Sequence, residues 1–369
     1  MDSGKRLLSL DTLRGFDMIF IMGFASVVVS LCNLFPGGES SWLATQMHHA
    51  AWDGLRHHDT IFPLFLFIAG ISFPFSYAKQ LGKGATRGQV YGKIFRRGII
   101  LFLLGLVYNG VFKLEFSTVR IYSVLARIGF AWMFAALLFI NFKPKARAVI
   151  AVVLLVGYWL LLKFVPAPDA PGADPFSLEG NIVGYVDRVL IPNHIYKKGL
   201  YDPEGLLSLI PAIVTAMLGM FTGEFVRLDE GKISGGKKSL YMALAAVAML
   251  VVGLVWSLDF PINKALWSST FVLVVGAYSL GLFALFYYII DVKGWKGWTK
   301  FFEVIGLNSI TIYMAQRIIS FSGINNFFLG GLAGLCPEPV GKLILNVGYL
   351  AISWLFLWFL YKKKVFLKV

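Results

Sequence analysis

Residues 48–70 read HHAAWDGLRHHDTIFPLFLFIAG, so His48, His49, His57 and His58 stand with Trp52, Asp53, Arg56 and Asp59 at the head of a long apolar run. Imidazole changes charge near neutral pH. Given a carboxylate to orient it and a dry pocket, it serves as a general base or acid. Asp53 and Asp59 are both candidates for that orienting role. A metal site is the weaker chemistry, because adjacent histidines on a helix or strand point apart and no HExxH or Cys/His spacing is present. The plain alternative is a group of histidines solvated in a loop.

Three further constellations could act with these. In RLLSLDTLRGFDM (6–18), Asp11, Arg14 and Asp17 are three residues apart and share a helix face. They form either a self-paired ionic cluster or, through the arginine, a grip on the phosphates of a nucleotide-bearing cofactor. In YDPEG (201–205), Asp202-Pro203 starts a turn, and Pro203 and Glu204 suit a first helical turn. Asn109, Arg127, Asn308, Ser309 and Gln316 interrupt apolar segments, and INKALWSS (262–269) adds Asn263, Lys264 and Trp267. Polar groups are expensive in lipid. They belong either in interhelical hydrogen bonds or along a polar cavity that crosses much of the membrane.

The elements that must position these residues are membrane helices. Of 369 residues, 57% are hydrophobic and 15% charged, and the mean hydropathy is +0.72; a soluble domain averages about 25% charged residues. The fold class is all-α, a polytopic bundle of about ten transmembrane helices in a single domain over 1–369. The spans are expected at 13–33, 60–79, 94–112, 122–141, 147–165, 205–226, 240–258, 271–290, 301–320 and 341–361. With both termini in the cytoplasm, the short connections on that side carry most of the basic residues. These run from Lys5, Arg6 and Arg14, through Lys83, Arg87, Lys93, Arg96 and Arg97, to Lys362, Lys363, Lys364 and Lys368. The net charge of +14 is then explained by orientation in a lipid bilayer, with no nucleic-acid partner. Three longer connections, 34–59, 166–204 and 321–340, fall outside, where long loops carry function. Cys32 and Cys336 sit in no CxxC or metal-type spacing. No cleavable signal and no tandem repeat is visible.

In order along the chain, RLLSLDTLRGFDM, HHAAWDGLRHHDTIFPLFLFIAG, VRIYSVLARIGFAW, GYVDRVLI, YDPEGLLSLIPAI, INKALWS and LNSITIY resemble the catalytic membrane region of the heparan-α-glucosaminide N-acetyltransferase family, over nearly the whole chain. The resemblance implies transfer of an acetyl group from cytosolic acetyl-CoA, as co-substrate, to the amine of a terminal glucosamine or related amino sugar or glycan on the far side. The family's active-site histidine precedes an Ala-x-Trp-x-Gly-Leu run, which makes it His49 here, and Asp59 matches the aspartate before Phe-Pro. His57 and His58 match no histidine of the animal enzyme. Trp52, Asn109, Arg127, Asp202, Glu204, Asn263, Lys264, Trp267, Asn308 and Ser309 fall on family positions by their motifs. The family's catalytic asparagine, upstream of the histidine, has no counterpart in register, with Asn33 only loosely placed. The resemblance further implies the bacterial, plasma-membrane form without the luminal domain and its extra helix, a homodimer, and no metal.

The leading expectation is therefore an acyltransferase. In it His49 is the base or the acetyl carrier, Asp59 or Asp53 orients it, and Arg14, Arg96 and Arg97 are placed by charge to meet the CoA phosphates. A transporter or flippase for an amino sugar or glycan precursor shares the wet cavity but needs no CoA. A membrane metallohydrolase built on the histidines is the third reading. Acetyl-CoA binding and metal content separate the three.

Overall fold

The computed structural model describes residues 7–196 and 199–367; Lys5, Arg6 and Lys368 of the charge pattern lie outside the described residues. The described chain is all-α. Helix α1 (Leu8–Ile19) runs through a π-helical turn, Phe20–Phe24, into α2 (Ala25–Cys32). A short α3 (Trp42–Gln46) precedes α4 (His57–Gly82), α5 (Arg87–Tyr108), α6 (Val124–Asn141) and α7 (Pro144–Phe164). Then come α8 (Ile182–Leu190), α9 (Leu209–Val226), α10 (Gly235–Trp256) and α11 (Ser269–Phe286), which a second π turn prolongs to Val292. The chain closes with α12 (Thr299–Leu307), α13 (Ser309–Ile318), α14 (Phe321–Gly334) and α15 (Glu338–Lys362).

Eight helices among the described residues are long and apolar enough to cross a membrane: α1–α2 taken together, α4, α6, α7, α9, α10, prolonged α11, and α15. The other two expected spans differ in kind. Helix α5 has the length but carries Arg87, Lys93, Arg96 and Arg97 in its first half. The expected span 301–320 is broken at Asn308, whose backbone (φ −125°, ψ 28°) leaves the helical region and separates α12 from α13.

Two other expectations change. The segment 321–340, expected as a loop, contains α14. Its glycines disfavour a helix in isolation, but packing overrides that cost. The Ser320 hydroxyl caps its start by accepting from Gly323 N at 3.2 Å, and Asn325 Nδ2 donates to Leu345 O of α15 at 2.8 Å. Helix α9 begins at Leu209 rather than at 205, so Pro203 and Glu204 lie in a turn before it. The Asp202 carboxylate accepts from Glu204 N at 2.9 Å and holds that turn as a local side-chain-to-backbone motif.

Close helix crossings set the geometry. A Cβ on Gly70 of α4 would stand 2.2 Å from Ala216 O of α9, and one on Gly219 of α9 would stand 2.0 Å from Phe67 O. Those small residues let α4 and α9 touch backbone to backbone, the way helices associate where lipid removes the hydrophobic drive. Gly15 and Gly306 do the same for α1 against α12, next to the broken helix. Helix α4 is thereby fixed in the middle of the bundle, with its first turn, His57 to Asp59, at one end.

Candidate active site

Asp59 is the third residue of α4, and its carboxylate accepts from the backbone N–H of Arg56 and of Ala50, both at 3.1 Å. It thus caps its own helix and ties down the loop that carries His49. On the other oxygen, Asp59 Oδ1 lies 2.7 Å from His49 Nδ1. The Arg56 guanidinium holds the His49 carbonyl at 2.8 Å. Lys264 Nζ lies 3.0 Å from His49 Nδ1 and 3.3 Å from Asp59 Oδ1. The shorter contact, Nδ1 to Asp59, fixes the proton, and the Lys264 contact with Nδ1 is then not a hydrogen bond. An unprotonated Nδ1 would face a carboxylate oxygen, lone pair to lone pair. Nδ1–H therefore donates to Asp59, and the Lys264 ammonium pairs with the carboxylate. Nε2 of His49 is left with its lone pair free. The His49 side chain is 57% exposed against 1% for Asp59, so a buried anion orients a reachable base.

Asp53, the other candidate for orienting His49, does something different. Its Oδ1 accepts from Asn263 Nδ2 at 3.0 Å, while Gly54 N donates to Ile262 O at 2.8 Å. These bonds clamp the 262–268 loop to the His49 loop and deliver Lys264 to the histidine. Asn263 Oδ1 also accepts from Leu266 N at 2.9 Å. Trp267 is fully buried with a positive φ of 51°, a costly conformation for a bulky residue. It is held by Thr215, which accepts from its indole N–H at 3.2 Å, and by the rings of Phe62 and Phe271. Arg127 lies over the same ring at 4.9 Å and donates to Gly205 O and Ser208 Oγ. Trp52 packs edge-on against Tyr201 and donates to Phe176 O at 2.9 Å. Burial lowers the Lys264 ammonium below its usual range, and Arg127 adds to this, while the Asp59 and Glu204 carboxylates oppose it.

A cavity of about 240 Å³ opens beside His49. Its polar lining is His49, His58, Glu204, Lys264, Ser309 and Tyr313, and the rest is apolar, with Met18 and Ile21 supplied by the π turn region of α1. Glu204 is held there by Arg120, which pairs with both Glu204 and Asp202 and donates Nε to Asp202 Oδ2 at 2.8 Å. Asp202 is buried away from the cavity. Fully buried Asp187 accepts from Asp202 N at 3.2 Å and Leu206 N at 3.1 Å; burial raises its carboxyl to about 6 against the pull of those two bonds. Asn109 caps α5 and donates to the carbonyls of Arg120 and Tyr122, both at 2.8 Å, and so sets the strand of chain from which Arg120 reaches across.

A second cavity, about 280 Å³, is lined by Arg14, Arg97, Ser72, Gly306, Leu307 and apolar side chains. Phe65, Leu125, Ile128, Ser309 and Ile310 line both cavities, so the two abut across a shared wall. The helix break at Asn308 puts Ser309 on the shared wall. Such breaks are tolerated within a membrane only where they line protein or a wet cavity. Arg14 pairs with Asp11 at 3.3 Å; Asp17 is buried outside that pair, with one oxygen unpartnered. Arg97 lies over the Trp132 ring at 4.2 Å with its Nε unpartnered, whereas Arg96 is exposed and lines neither cavity. Asn33 sits in a third, separate hollow with Glu39 and Lys342, so it does not approach His49. His48 is exposed, and among the described residues no group of three or more His, Cys, Asp or Glu could hold a metal ion.

Of the residues singled out in the sequence, the structure brings His49, Glu204, Lys264 and Ser309 to one cavity, with Asp59 bonded to His49 behind its lining. Arg120, Asp187 and Tyr313 were not singled out there, and His58 was weighed only as one of four histidines. Arg120, Asp187 and Tyr313 sit inside VRIYSVLARIGFAW, GYVDRVLI and LNSITIY, so the motif residues themselves were the available signal.

The family model described as heparan-alpha-glucosaminide N-acetyltransferase, catalytic, matches residues 6–253. The heparan-alpha-glucosaminide N-acetyltransferase of Mus musculus is 29% identical over 422 aligned residues, covering 100% of this chain and 61% of its own length. That of Homo sapiens is 29% identical over 421, covering 99% of this chain and 60% of its own length. The chain thus spans less than two thirds of the length of these curated relatives.

Proposed function

Because the chain belongs to the heparan-alpha-glucosaminide N-acetyltransferase family, we propose that it is a transmembrane N-acetyltransferase that moves the acetyl group of acetyl-CoA to the amine of a terminal glucosamine or related amino sugar. The observation that carries this reading is the pairing of two abutting cavities, one ending at the Asp59-oriented His49 and the other at Arg14 and Arg97. The arginines meet the CoA phosphates, and the pantetheine arm follows Phe65, Ile128 and Ile310 toward His49. The acceptor amine enters beside Glu204.

His49 Nε2 then removes a proton from the acceptor as its nitrogen lone pair attacks the thioester carbon. The C–S bond breaks, and the imidazolium returns the proton to the departing thiolate. The products are the N-acetylated sugar and CoA thiol. Asp59 stabilises the imidazolium during the step, and Lys264 keeps Asp59 ionised and in place.

The rest of the reading follows from this one. Helix α5 and the α12–α13 pair complete the bundle to ten crossings of a single domain. Both termini and the basic loops face the cytoplasm, and the His49 end faces out across a bacterial plasma membrane.

Incubating purified protein with carbonyl-labelled acetyl-CoA and an amino-sugar panel tests the proposal. Label is expected on the sugar with wild type and not with folded His49→Ala. Transport of unmodified sugar with no CoA-competable binding supports the flippase instead.

A further inference from the structure

His58 has no part in the mechanism above, yet it stands in the wall of the cavity beside His49. Its ring centroid lies 4.6 Å from that of His49, the two planes inclined at 59°. Helix α4 begins one residue earlier, so the His58 backbone is fixed by the same first turn that fixes Asp59. Its Nδ1 is shut away from solvent with no hydrogen-bond partner. A neutral imidazole carries one N–H and one lone pair. Burying an N–H or a lone pair without a partner costs about 1–3 kcal/mol in either case. Nε2 is the ring nitrogen left to the cavity, and the tautomer with its hydrogen there keeps that N–H where a bound molecule can accept it. In that form His58 is a donor next to the base.

The reaction needs a donor at the acetyl oxygen, and of the donors lining the cavity His58 is the one packed against the base, whereas Ser309 and Tyr313 stand on α13. When the amine adds to the thioester, charge builds on the carbonyl oxygen, and a group aimed there lowers the barrier. Lys264 is occupied with Asp59. Asn33, the loosely placed asparagine, is in another hollow. We propose that His58 Nε2–H donates to the acetyl carbonyl oxygen of the donor and holds the oxyanion of the tetrahedral intermediate. The inference rests on the acetyltransferase reading. No proton moves at His58: the bond strengthens as the oxyanion forms and relaxes as the C–S bond breaks.

The test combines kinetics with the infrared stretch of carbonyl-¹³C acetyl-CoA bound to the folded protein. In His58→Ala, kcat is expected to fall about 10²-fold, the loss typical of one oxyanion donor, with KM for acetyl-CoA unchanged. The bound carbonyl stretch should shift to higher frequency as its hydrogen bond is lost. His58→Gln, which keeps an N–H donor, should recover part of both.

Wild-type kcat in folded His58→Ala overturns the inference while leaving the acetyltransferase intact, provided His49→Ala still shows its large fall in kcat. A fall in kcat without a carbonyl shift also overturns it, since that assigns His58 to positioning His49. No acetyl transfer by the wild type, with His49→Ala indistinguishable from it, overturns the underlying reading and the inference with it.

Discussion

At the His49 end of the paired cavities, His49, Asp59 and Lys264 form one bonded group and Arg120, Asp202 and Glu204 another, each member within direct contact of a partner. At the other end, Arg97 has an unpartnered Nε and rests on an aromatic face, and Arg14 reaches Asp11 at 3.3 Å and Ser72 at 3.5 Å. Chemistry gains from groups already aimed, because reorganising them during reaction costs barrier height. Binding a polyanion gains from a cation with a donor still unspent, which at this end is Arg97. On the proposed function, the contrast is that of a preorganised reaction site and a receptive anchor for a donor's phosphates.

The contrast can be broken at either end. His49→Ala removes the base and should lower kcat about 10²–10⁴-fold with folding intact, read from label transfer and thermal unfolding. Arg120→Ala leaves two carboxylates buried without their cation and should destabilise the protein by about 3–5 kcal/mol; unfolding measurements in detergent check this, and Arg120→Lys should restore part of it. At the receptive end, Arg97→Ala should raise KM for acetyl-CoA about tenfold and spare kcat, one charge-assisted hydrogen bond being worth that much. The same variant should leave KM for acetyl-pantetheine, which lacks the nucleotide phosphates, unchanged.

The smallest effect concerns pH. A lowered Lys264 ammonium gives up its proton at a pH below the usual lysine range. The ion pair with Asp59 is then lost and activity declines on the alkaline side. In Lys264→Arg, which stays charged, that alkaline decline should move to higher pH. An unchanged alkaline limb would assign the decline to another group.

The His49 end was more legible in the sequence than the Arg14–Arg97 end. His49 and Asp59 stand ten residues apart in a loop and helix start whose residue types announce the chemistry. The choice of Asp59 over Asp53 was not legible, because it depends on Asn263, distant in sequence, claiming Asp53 for a loop clamp. Ten apolar stretches were visible from composition, but the break at Asn308 was not. Hydropathy averages over a window, and a single residue that leaves helical geometry barely alters the mean. Glycine content hid α14, since its packing on α15 offsets a poor intrinsic propensity. His58 looked like one of several loop histidines; only the three-dimensional wall of the cavity separates it from exposed His48.

The central claim is that the two ends serve opposite faces of one bilayer, and sidedness of transfer tests it most directly. Oriented proteoliposomes with acetyl-CoA confined to the Arg14–Arg97 side and glucosamine confined to the His49 side should yield N-acetylglucosamine on the His49 side, with CoA thiol released on the other. Product formed only when donor and acceptor share a compartment, and none across the intact bilayer, would contradict the account.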